Sequence, residues 1–281
     1  MAKTLYKYEA SSNKFVWFTT WDRALRNFYT DDYNYVPDPV VGNPFNTFVE
    51  FRSRKPGMAN VDWGDGIKEQ FPMTKVQGQD NYRIIFRSLA IQHRKNPNTT
   101  WWFRKEDGSQ YVPVDNHAYA DGLDKERVIT MTFTNDITYV QTSRIMMVGF
   151  PILDAPSIIN LILSITGDGN ITDIPKDRIR RSVNIEYITL SELGVGILTS
   201  IPDDWDRLTK LKGINLSRTA DFNDTESSNI RKFPSMWPNL VTLSLADCRV
   251  RVYPREWLSF SKLKELCISP GAAMSSFDPN T

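Results

Sequence analysis

The chain has little of what most enzymes and metal proteins use. Its 281 residues include two histidines and two cysteines, and two cysteines cannot complete a four-cysteine zinc site or a disulfide framework. The sequence contains no phosphate-binding loop, no zinc-protease helix motif and no nucleophile elbow. Because His93 and His117 are the only histidines, a Ser/His/Asp catalytic triad or a Cys/His catalytic dyad is not expected. We therefore expect no enzymatic activity, no cofactor and no metal site.

The chain also lacks a large net charge and a long run of apolar residues. Its formal net charge is +1, which argues against binding nucleic acid through a broad basic field. The longest apolar stretch, residues 157–165, is shorter than the roughly 20 residues that a membrane-spanning helix needs. Residues 1–9 show no apolar segment typical of a signal peptide. We expect a protein made in a cytoplasm, with no membrane insertion and no export by the usual route.

Aromatic side chains are concentrated at the amino terminus. Residues 1–44 hold nearly a third of the chain's aromatic residues, namely Tyr6, Tyr8, Phe15, Trp17, Phe18, Trp21, Phe28, Tyr29, Tyr33 and Tyr35. In one interpretation these rings pack on the domain that follows. In the other, residues 1–44 form an arm that docks on a partner, because aromatic side chains anchor interfaces well. The candidate contact residues of that arm are Trp17, Trp21, Tyr29 and Tyr33.

Residues 45–136 have a β pattern. Residues 82–86 and 128–133 are rich in β-branched and aromatic residues, and the second run alternates as a half-buried strand does. In the segment 61–66, Gly64 and Gly66 allow a tight turn, while Asp62 and Asp65 can accept backbone hydrogen bonds within it. Trp63 is then able to enter the core. A calcium site is the alternative, but two carboxylates fall short of the roughly six to eight oxygens that calcium takes.

This segment also carries a family resemblance. Val61-Asp62-Trp63-Gly64-Asp65-Gly66 resembles the turn of PKD-type immunoglobulin-like domains, and His117-Ala118-Tyr119, Gly122 and the strand from Val128 follow in the order typical of that family. The resemblance implies an immunoglobulin-like β-sandwich over residues 45–136. It also implies a structural role for Asp62, Trp63, Gly64, Asp65, Gly66, His117 and Tyr119. The segment after Gly122, residues 123–127, is longer and more charged than is usual for the family. This difference affects a loop and not the fold.

The carboxy-terminal half repeats itself. An apolar frame, in which the second position follows the first by three residues and the third follows by two more, starts at Ile158, Ile185, Leu211, Leu240 and Leu263. Successive starts are 27, 26, 29 and 23 residues apart. An apolar or aromatic residue before proline recurs later in the units, and three of these prolines are followed by Trp205, Trp237 and Trp257.

The repeat resembles the leucine-rich-repeat family, in which Asn or Cys is favoured at the ninth position, where this chain has Cys248. The resemblance implies a short solenoid over residues 137–281, with one strand from each unit on the concave side and a continuous shared core. The fold as a whole is then mainly β. We expect the tryptophans to form a buried column, and both Cys248 and Cys267 to be buried thiols without a reactive role. The basic residues Arg178, Arg180 and Arg181 are expected on a solvated face, and the alternative is contact with phosphate or an acidic partner.

Strand parity predicts which side chains of these units point outward. The central outward column is Ile162, Thr189, Asn215, Ser244 and Cys267, and a neighbouring column is Asn160, Tyr187, Gly213, Thr242 and Glu265. This surface is neutral and polar and has one aromatic residue. It therefore favours a flat protein contact, or a face that only meets water, over a dedicated sugar groove. The candidate contact residues are Tyr187, Thr189 and Asn215.

The pairing of such an immunoglobulin-like domain with leucine-rich repeats resembles two groups of proteins. They are tail or capsid appendage proteins of tailed phages that infect Bacteroidota, and surface-displayed repeat proteins of those bacteria. Since no export signal is seen, we expect a non-catalytic virion structural protein that docks by its N-terminal region and presents the repeats outward. Its expected partners are other virion proteins or further copies of the chain, and a host surface receptor. The alternative is a bacterial cell-surface adhesin or ligand-binding module.

Overall fold

The computed structural model describes residues 13–19, 48–64, 66–87, 103–104, 110–111, 127–143, 149–164, 174–191, 198–222, 228–250 and 253–268. As predicted, the protein is mainly β. Its strands are β1 (Lys14–Thr19), β2 (Phe48–Ser53), β3 (Met58–Asp62), β4 (Lys68–Pro72), β5 (Thr74–Lys75), β6 (Tyr82–Arg87), β7 (Phe103–Arg104), β8 (Gln110–Tyr111), β9 (Arg127–Phe133), β10 (Ile137–Ser143), β11 (Gly149–Asp154), β12 (Asn160–Ser164), β13 (Tyr187–Ser191), β14 (Gly213–Asn215), β15 (Asp221–Phe222), β16 (Thr242–Ser244), β17 (Arg249–Val250) and β18 (Glu265–Cys267). Within these described residues the helices are the α-helix α1 (Phe233–Met236) and the 3₁₀ segments Asp203–Arg207, Ile230–Lys232 and Arg255–Ser259. None of these helices is long and apolar enough to cross a membrane.

One sheet has five antiparallel strands in the order β11-β1-β9-β3-β4. Strand β1 comes from the predicted arm, residues 1–44, and β11 comes from the predicted repeat domain, residues 137–281. Both nevertheless pair inside the same sheet as strands of the predicted domain 45–136. The predicted boundaries are therefore wrong at these two places, because they divide a single hydrogen-bonded sheet.

The other large sheet has nine strands in the order β18-β16-β14-β13-β12-β10-β2-β6-β5. The strands of the repeated frames are parallel to each other, as are β10 and β12. On its other edge β10 pairs with β2 in the antiparallel sense. Strand β10 is thus the junction at which an antiparallel sheet becomes a parallel one without a break in hydrogen bonding.

The two sheets pack face to face around an aromatic core. The Phe15 ring of β1 lies 4.9 Å from the Phe51 ring of β2, and the Trp17 ring lies 6.3 Å from it. Trp17 is buried, so its prediction as a docking residue is wrong, and for β1 the interpretation that the rings pack on the following domain is confirmed. The opposite side of β1 is also buried, since Val16 and Phe18 contact Ile152 in a second apolar cluster.

The turn after β3 has the predicted structure. Gly64 and Gly66 have φ angles of 78° and 92°, and the Gly64 N–H donates to Asp62 Oδ1 over 3.0 Å. The Trp63 side chain is fully buried, and its indole N–H donates to Glu69 Oε2 over 2.7 Å. These predictions are confirmed, whereas Asp65, His117 and Tyr119 lie outside the described residues.

The Gly64→Ala variant is expected to lose about 3 kcal/mol of unfolding free energy, the upper end of the range for strained backbone. A Cβ atom at this position would lie 2.5 Å from the Val128 carbonyl oxygen, and the residue would also have to keep a positive φ angle. Gly66→Ala is the matched control, because its Cβ would meet nothing within 4 Å, and it is expected to lose about 1 kcal/mol. Urea unfolding of both variants checks this, and equal losses would contradict the close contact with Val128.

The side of the repeat region opposite its strands is closed by aromatic side chains. Trp205, Trp237 and Trp257 are all buried, which confirms the predicted column. The Trp237 indole N–H donates to the Trp205 carbonyl oxygen over 3.1 Å, and that of Trp257 donates to the Ile230 carbonyl oxygen over 2.8 Å. Each of these bonds joins one repeat unit to the preceding one.

Buried side chains at the ninth position of the units form a second link between repeats. The Thr219 hydroxyl donates to the Leu190 carbonyl oxygen over 2.9 Å. One unit later, the Cys248 thiol donates to the Leu216 carbonyl oxygen over 2.9 Å. A residue at this position therefore satisfies a backbone carbonyl of the preceding unit.

The five-stranded sheet also contacts the repeat region, through the edge of β11. The Leu153 N–H donates to the Arg178 carbonyl oxygen over 2.7 Å, and the Ala155 N–H donates to the Ser182 hydroxyl over 3.0 Å. Arg181 forms an ion pair of 2.6 Å with the buried Asp154 carboxylate. The Arg178 guanidinium lies 4.9 Å from the centre of the Phe18 ring. Arg181 is exposed, as expected for a solvated face, although it pairs with Asp154. Arg178 is only partly exposed, because it packs on Phe18 of the five-stranded sheet.

Candidate binding face of the nine-stranded sheet

The outward side of the parallel strands is the open face. Its residues are Asn160, Ile162, Tyr187, Thr189, Gly213, Asn215, Thr242, Ser244, Glu265 and Cys267. The strand register places them in the two predicted columns, with each residue directly beside its counterpart in the next unit. The alignment of the predicted columns is therefore confirmed for all five strands, although in β18 the inward residue Leu266 is itself exposed.

The predicted contact residues Tyr187, Thr189 and Asn215 come together on this face. They line a shallow cavity of about 260 Å³, whose other walls are formed by neighbouring strands up to Glu265 and Cys267. Tyr187 is 46% exposed, and the Thr189 and Asn215 side chains are partly exposed. The cavity thus combines one aromatic ring with short polar side chains.

Gly213 gives this cavity its shape. A Cβ atom at Gly213 would lie 2.7 Å from Thr242 Oγ1 and 2.9 Å from Tyr187 Cδ1. Neither distance is compatible with a real side chain, so Tyr187 and Thr242 occupy the space that another residue would fill. The absence of a side chain lets the Tyr187 ring lean across β14 and form one wall of the cavity.

The polar groups of the cavity are held in defined orientations. Asn215 Oδ1 accepts from the Ser217 N–H over 2.9 Å, which leaves the amide N–H groups to donate outward. The Ser244 and Ser217 hydroxyls lie 2.9 Å apart in a hydrogen bond. Beside Tyr187, the Lys212 ammonium donates to Glu186 Oε2 over 2.8 Å, and this hydrogen bond raises the pKa of Lys212. An ion pair between adjacent units therefore precedes Tyr187 and Gly213 at the start of their strands.

The face continues beyond the repeats onto β10 and β2. The register places Tyr139 beside Asn160 on one edge and beside Arg52 on the other. The Arg52 guanidinium lies 4.5 Å from the centre of the Tyr139 ring, and it also donates to Glu50 over 2.5 Å. Burial raises the pKa of Tyr139, while Arg52 acts to lower it. These residues were not predicted from the sequence, because strand parity was applied only from the first repeated frame onward. The alternation of residues 137–143 is the signal that could have identified them.

The two cysteines differ in their surroundings. Cys248 is buried, as predicted, whereas Cys267 is exposed on the open face, so the prediction that both are buried is wrong for Cys267. Burial raises the pKa of the Cys248 thiol. The difference arises because Cys248 occupies the inward ninth position of its unit, while Cys267 stands at an outward position of the last described strand.

Thiol alkylation is expected to distinguish the two cysteines. With iodoacetamide near neutral pH, Cys267 should react at least about tenfold faster than Cys248 in the folded chain, since the thiolate is the reactive form and access is required. Because its pKa is raised, Cys248 stays protonated to higher pH and reacts only after opening of the fold. Peptide mass spectrometry measures both rates. In the Cys267→Ser control the folded chain should label slowly, and rapid labelling of that variant would contradict the buried position of Cys248.

The other predicted contact residues, Trp21, Tyr29 and Tyr33, lie outside the described residues. Within the part of the chain that the structure describes, no group of three or more His, Cys, Asp or Glu side chains is placed to hold a metal ion. Comparisons with protein-family models, with curated proteins and with solved structures give no match to this chain.

Proposed function

We propose that this chain is a non-catalytic binding and structural protein, built from an immunoglobulin-like sandwich of the PKD type and a short leucine-rich-repeat solenoid. Within that proposal it serves as a tail or capsid appendage in the virion of a tailed phage. It docks through its N-terminal region and presents the open face to a protein or to the host surface.

Support for the sandwich comes from the turn after β3 and from the packing of two sheets around Phe51. In the turn, positive φ angles at both glycines and the bond from Gly64 to Asp62 are what the family motif requires. Support for the solenoid comes from five parallel strands in register with the repeated frame. The links made by Thr219 and Cys248 between units are a further feature of such repeats.

The observation that carries the functional proposal is the continuity of the nine-stranded sheet through β10. Eight spacings between strands, at about 4.8 Å each, make a surface about 38 Å across. One hydrophobic core extends beneath it, from Phe15 in β1 to Trp257 near the last repeat. A surface supported in this way keeps its shape when force or a partner acts on it, which suits a display element.

The docking role is proposed for the segment between β1 and β2, which contains Trp21, Tyr29 and Tyr33. Strand β1 lies in the five-stranded sheet and β2 lies in the nine-stranded sheet, so this segment links the two layers. Its rings supply large contact areas at low cost in side-chain entropy. The proposed partners are other virion proteins or further copies of this chain.

Immunogold electron microscopy with antibodies against the purified chain tests the virion role. Particles purified from lysates of cells that produce this protein are expected to carry the label on an appendage. A triple variant, Trp21→Ser with Tyr29→Ser and Tyr33→Ser, should be incorporated less, while the Leu258→Ala control should be incorporated normally because Leu258 lies elsewhere and is 90% exposed. Label on the envelope of uninfected cells, and none on particles, would contradict the proposal and favour a bacterial adhesin.

A further inference from the structure

The size of the cavity on the open face limits what it can hold. Its volume of about 260 Å³ is below the range of roughly 300–1,000 Å³ that is typical for sites of drug-sized ligands. A single six-membered ring or a single protein side chain fits such a space. Because the cavity is shallow and opens along the sheet, a ring held here can be one unit of a longer chain that continues over neighbouring strands.

The Tyr187 ring supplies an apolar platform. It is the one exposed large apolar side chain among the described residues of the open face, since the others of this kind are Ile67, Leu258 and the inward-position residue Leu266. An aromatic ring buries much area with few rotatable bonds and carries a polar group at its tip. It is therefore suited to a ligand that has an apolar face and a polar edge, which describes a pyranose ring.

The polar groups around Tyr187 offer both donors and acceptors. The Asn215 amide donates outward because its oxygen is held by Ser217, and the exposed Glu265 carboxylate accepts. The hydroxyls of Thr189 and Thr242 do both. Sugar hydroxyls also both donate and accept, so this mixed set matches them. An anionic ligand is disfavoured because Glu265 is the charged side chain that lines the cavity.

A protein partner fits this face less well. The centres of protein interfaces are enriched in large aromatic, Met and Arg side chains and contain few short polar ones. Here one ring is surrounded by Thr189, Asn215, Thr242 and Ser244, all of which are short and polar. Sequence alone favoured a flat protein contact, but the leaning of Tyr187 over Gly213 turns part of the flat surface into a site for a small ring.

We propose that the open face is a saccharide-binding site, in which an uncharged pyranose ring packs on Tyr187 and its hydroxyl groups bind the Asn215 amide and the Glu265 carboxylate. This inference deepens the proposed function, because it names a neutral glycan as the surface that the chain contacts. The site binds without cleaving, and the neighbouring sugar units lie across the adjacent strands toward Tyr139.

Saturation-transfer NMR with the full chain tests the site. The probes are the methyl glycosides of glucose, galactose, mannose and N-acetylglucosamine, each at about 10 mM, together with their short homo-oligomers, so that affinities near the millimolar range are detected. At least one sugar is expected to receive saturation through the protons of one ring face. If none of them binds, or if only added polypeptides bind, the proposal is overturned.

Substitutions at Tyr187 test the platform. Tyr187→Phe keeps the ring and should retain binding within about threefold, while Tyr187→Ala should weaken it by about tenfold or more because the ring face is lost. Both variants leave the buried core unchanged, and Leu258→Ala on another surface is the control for general effects. Unaltered sugar binding by Tyr187→Ala would overturn the proposal.

Asn215→Asp tests the polar part of the site. The new carboxylate still accepts from the Ser217 N–H, so the local turn is preserved, but the outward donors are removed. Binding of the sugar is expected to fall by about three- to tenfold, the effect of one hydrogen bond. A bound sugar should also slow the alkylation of Cys267, which lines the same cavity, and leave that of Cys248 unchanged. Failure of these binding tests together with immunogold label on virions would reject the saccharide site and leave the virion role standing.

Discussion

Trp63→Ala is expected to lower the unfolding free energy by about 3–5 kcal/mol, as for other buried large aromatic side chains. Trp63 is fully buried between the two sheets, where its ring lies 6.2 Å from the Phe86 ring. Truncation leaves a cavity that the surrounding strands cannot fill, because Gly64 and the turn hold the backbone in place. It also removes the donor to Glu69. Equilibrium unfolding in urea, followed by circular dichroism, measures the loss.

Two controls separate the parts of this effect. Trp63→Phe retains most of the ring and should cost less than Trp63→Ala. Glu69→Gln retains an oxygen acceptor for the indole N–H and should cost about 1 kcal/mol or less, the value of one hydrogen bond. A stability of Trp63→Ala close to that of the native chain would contradict the placement of this tryptophan in the core.

Trp237→Ala is expected to have a similar effect in the repeat region, about 3–5 kcal/mol. Trp237 is fully buried, and its ring lies 4.7 Å from that of Phe233. The substitution also removes the hydrogen bond from the indole N–H to the Trp205 carbonyl oxygen, which then keeps only the Leu208 N–H as a donor. Thermal and urea unfolding check the prediction.

The control for Trp237 is Leu258→Ala, since Leu258 is 90% exposed and its loss should change stability by less than about 0.5 kcal/mol. Trp257→Ala should fall between the two, because Trp257 is close to the end of the described repeats and retains some exposure. Equal effects of the three substitutions would contradict the graded burial of the column.

The features that the sequence predicted well are local ones. The glycines of the turn, the burial of Trp63 and the parity of the repeat columns each follow from a few neighbouring residues, because turn conformation and strand alternation are set over short distances. The candidate contact residues Tyr187, Thr189 and Asn215 were found by parity alone. The cavity between them was not, since it depends on how the Tyr187 ring leans into the space above Gly213.

The features that the sequence did not predict depend on pairing between distant segments. Strand β1 is buried on both sides, with Phe15 and Trp17 toward Phe51 and with Val16 and Phe18 toward Ile152. Its apolar residues therefore run on without the alternation that marks a half-buried strand. This is why the segment read as an aromatic arm, although it is a strand inside the sheet.

The junction at β10 was missed for a related reason. Residues 137–143 alternate as a strand does, but alternation does not reveal which strands are neighbours or whether they are parallel. The sequence placed a domain boundary at 136/137, just before the strand that joins the two parts. The long-range contacts of Leu153 and Asp154 with residues 178–182 have no local signature in the sequence.

The two packed sheets and the repeats form one body that supports the open face. Hydrogen–deuterium exchange at increasing urea, resolved by peptide mass spectrometry, tests it through β9 (Arg127–Phe133) and β16 (Thr242–Ser244). Chains of this size often unfold in separate parts, so a common transition is informative. We expect both strands to lose protection at the same urea concentration, and Trp63→Ala and Trp237→Ala each to lower that concentration for both strands together. If β16 loses protection while β9 stays protected, and each substitution affects only the strand nearer to it, the packed sheets and the repeats are separate bodies.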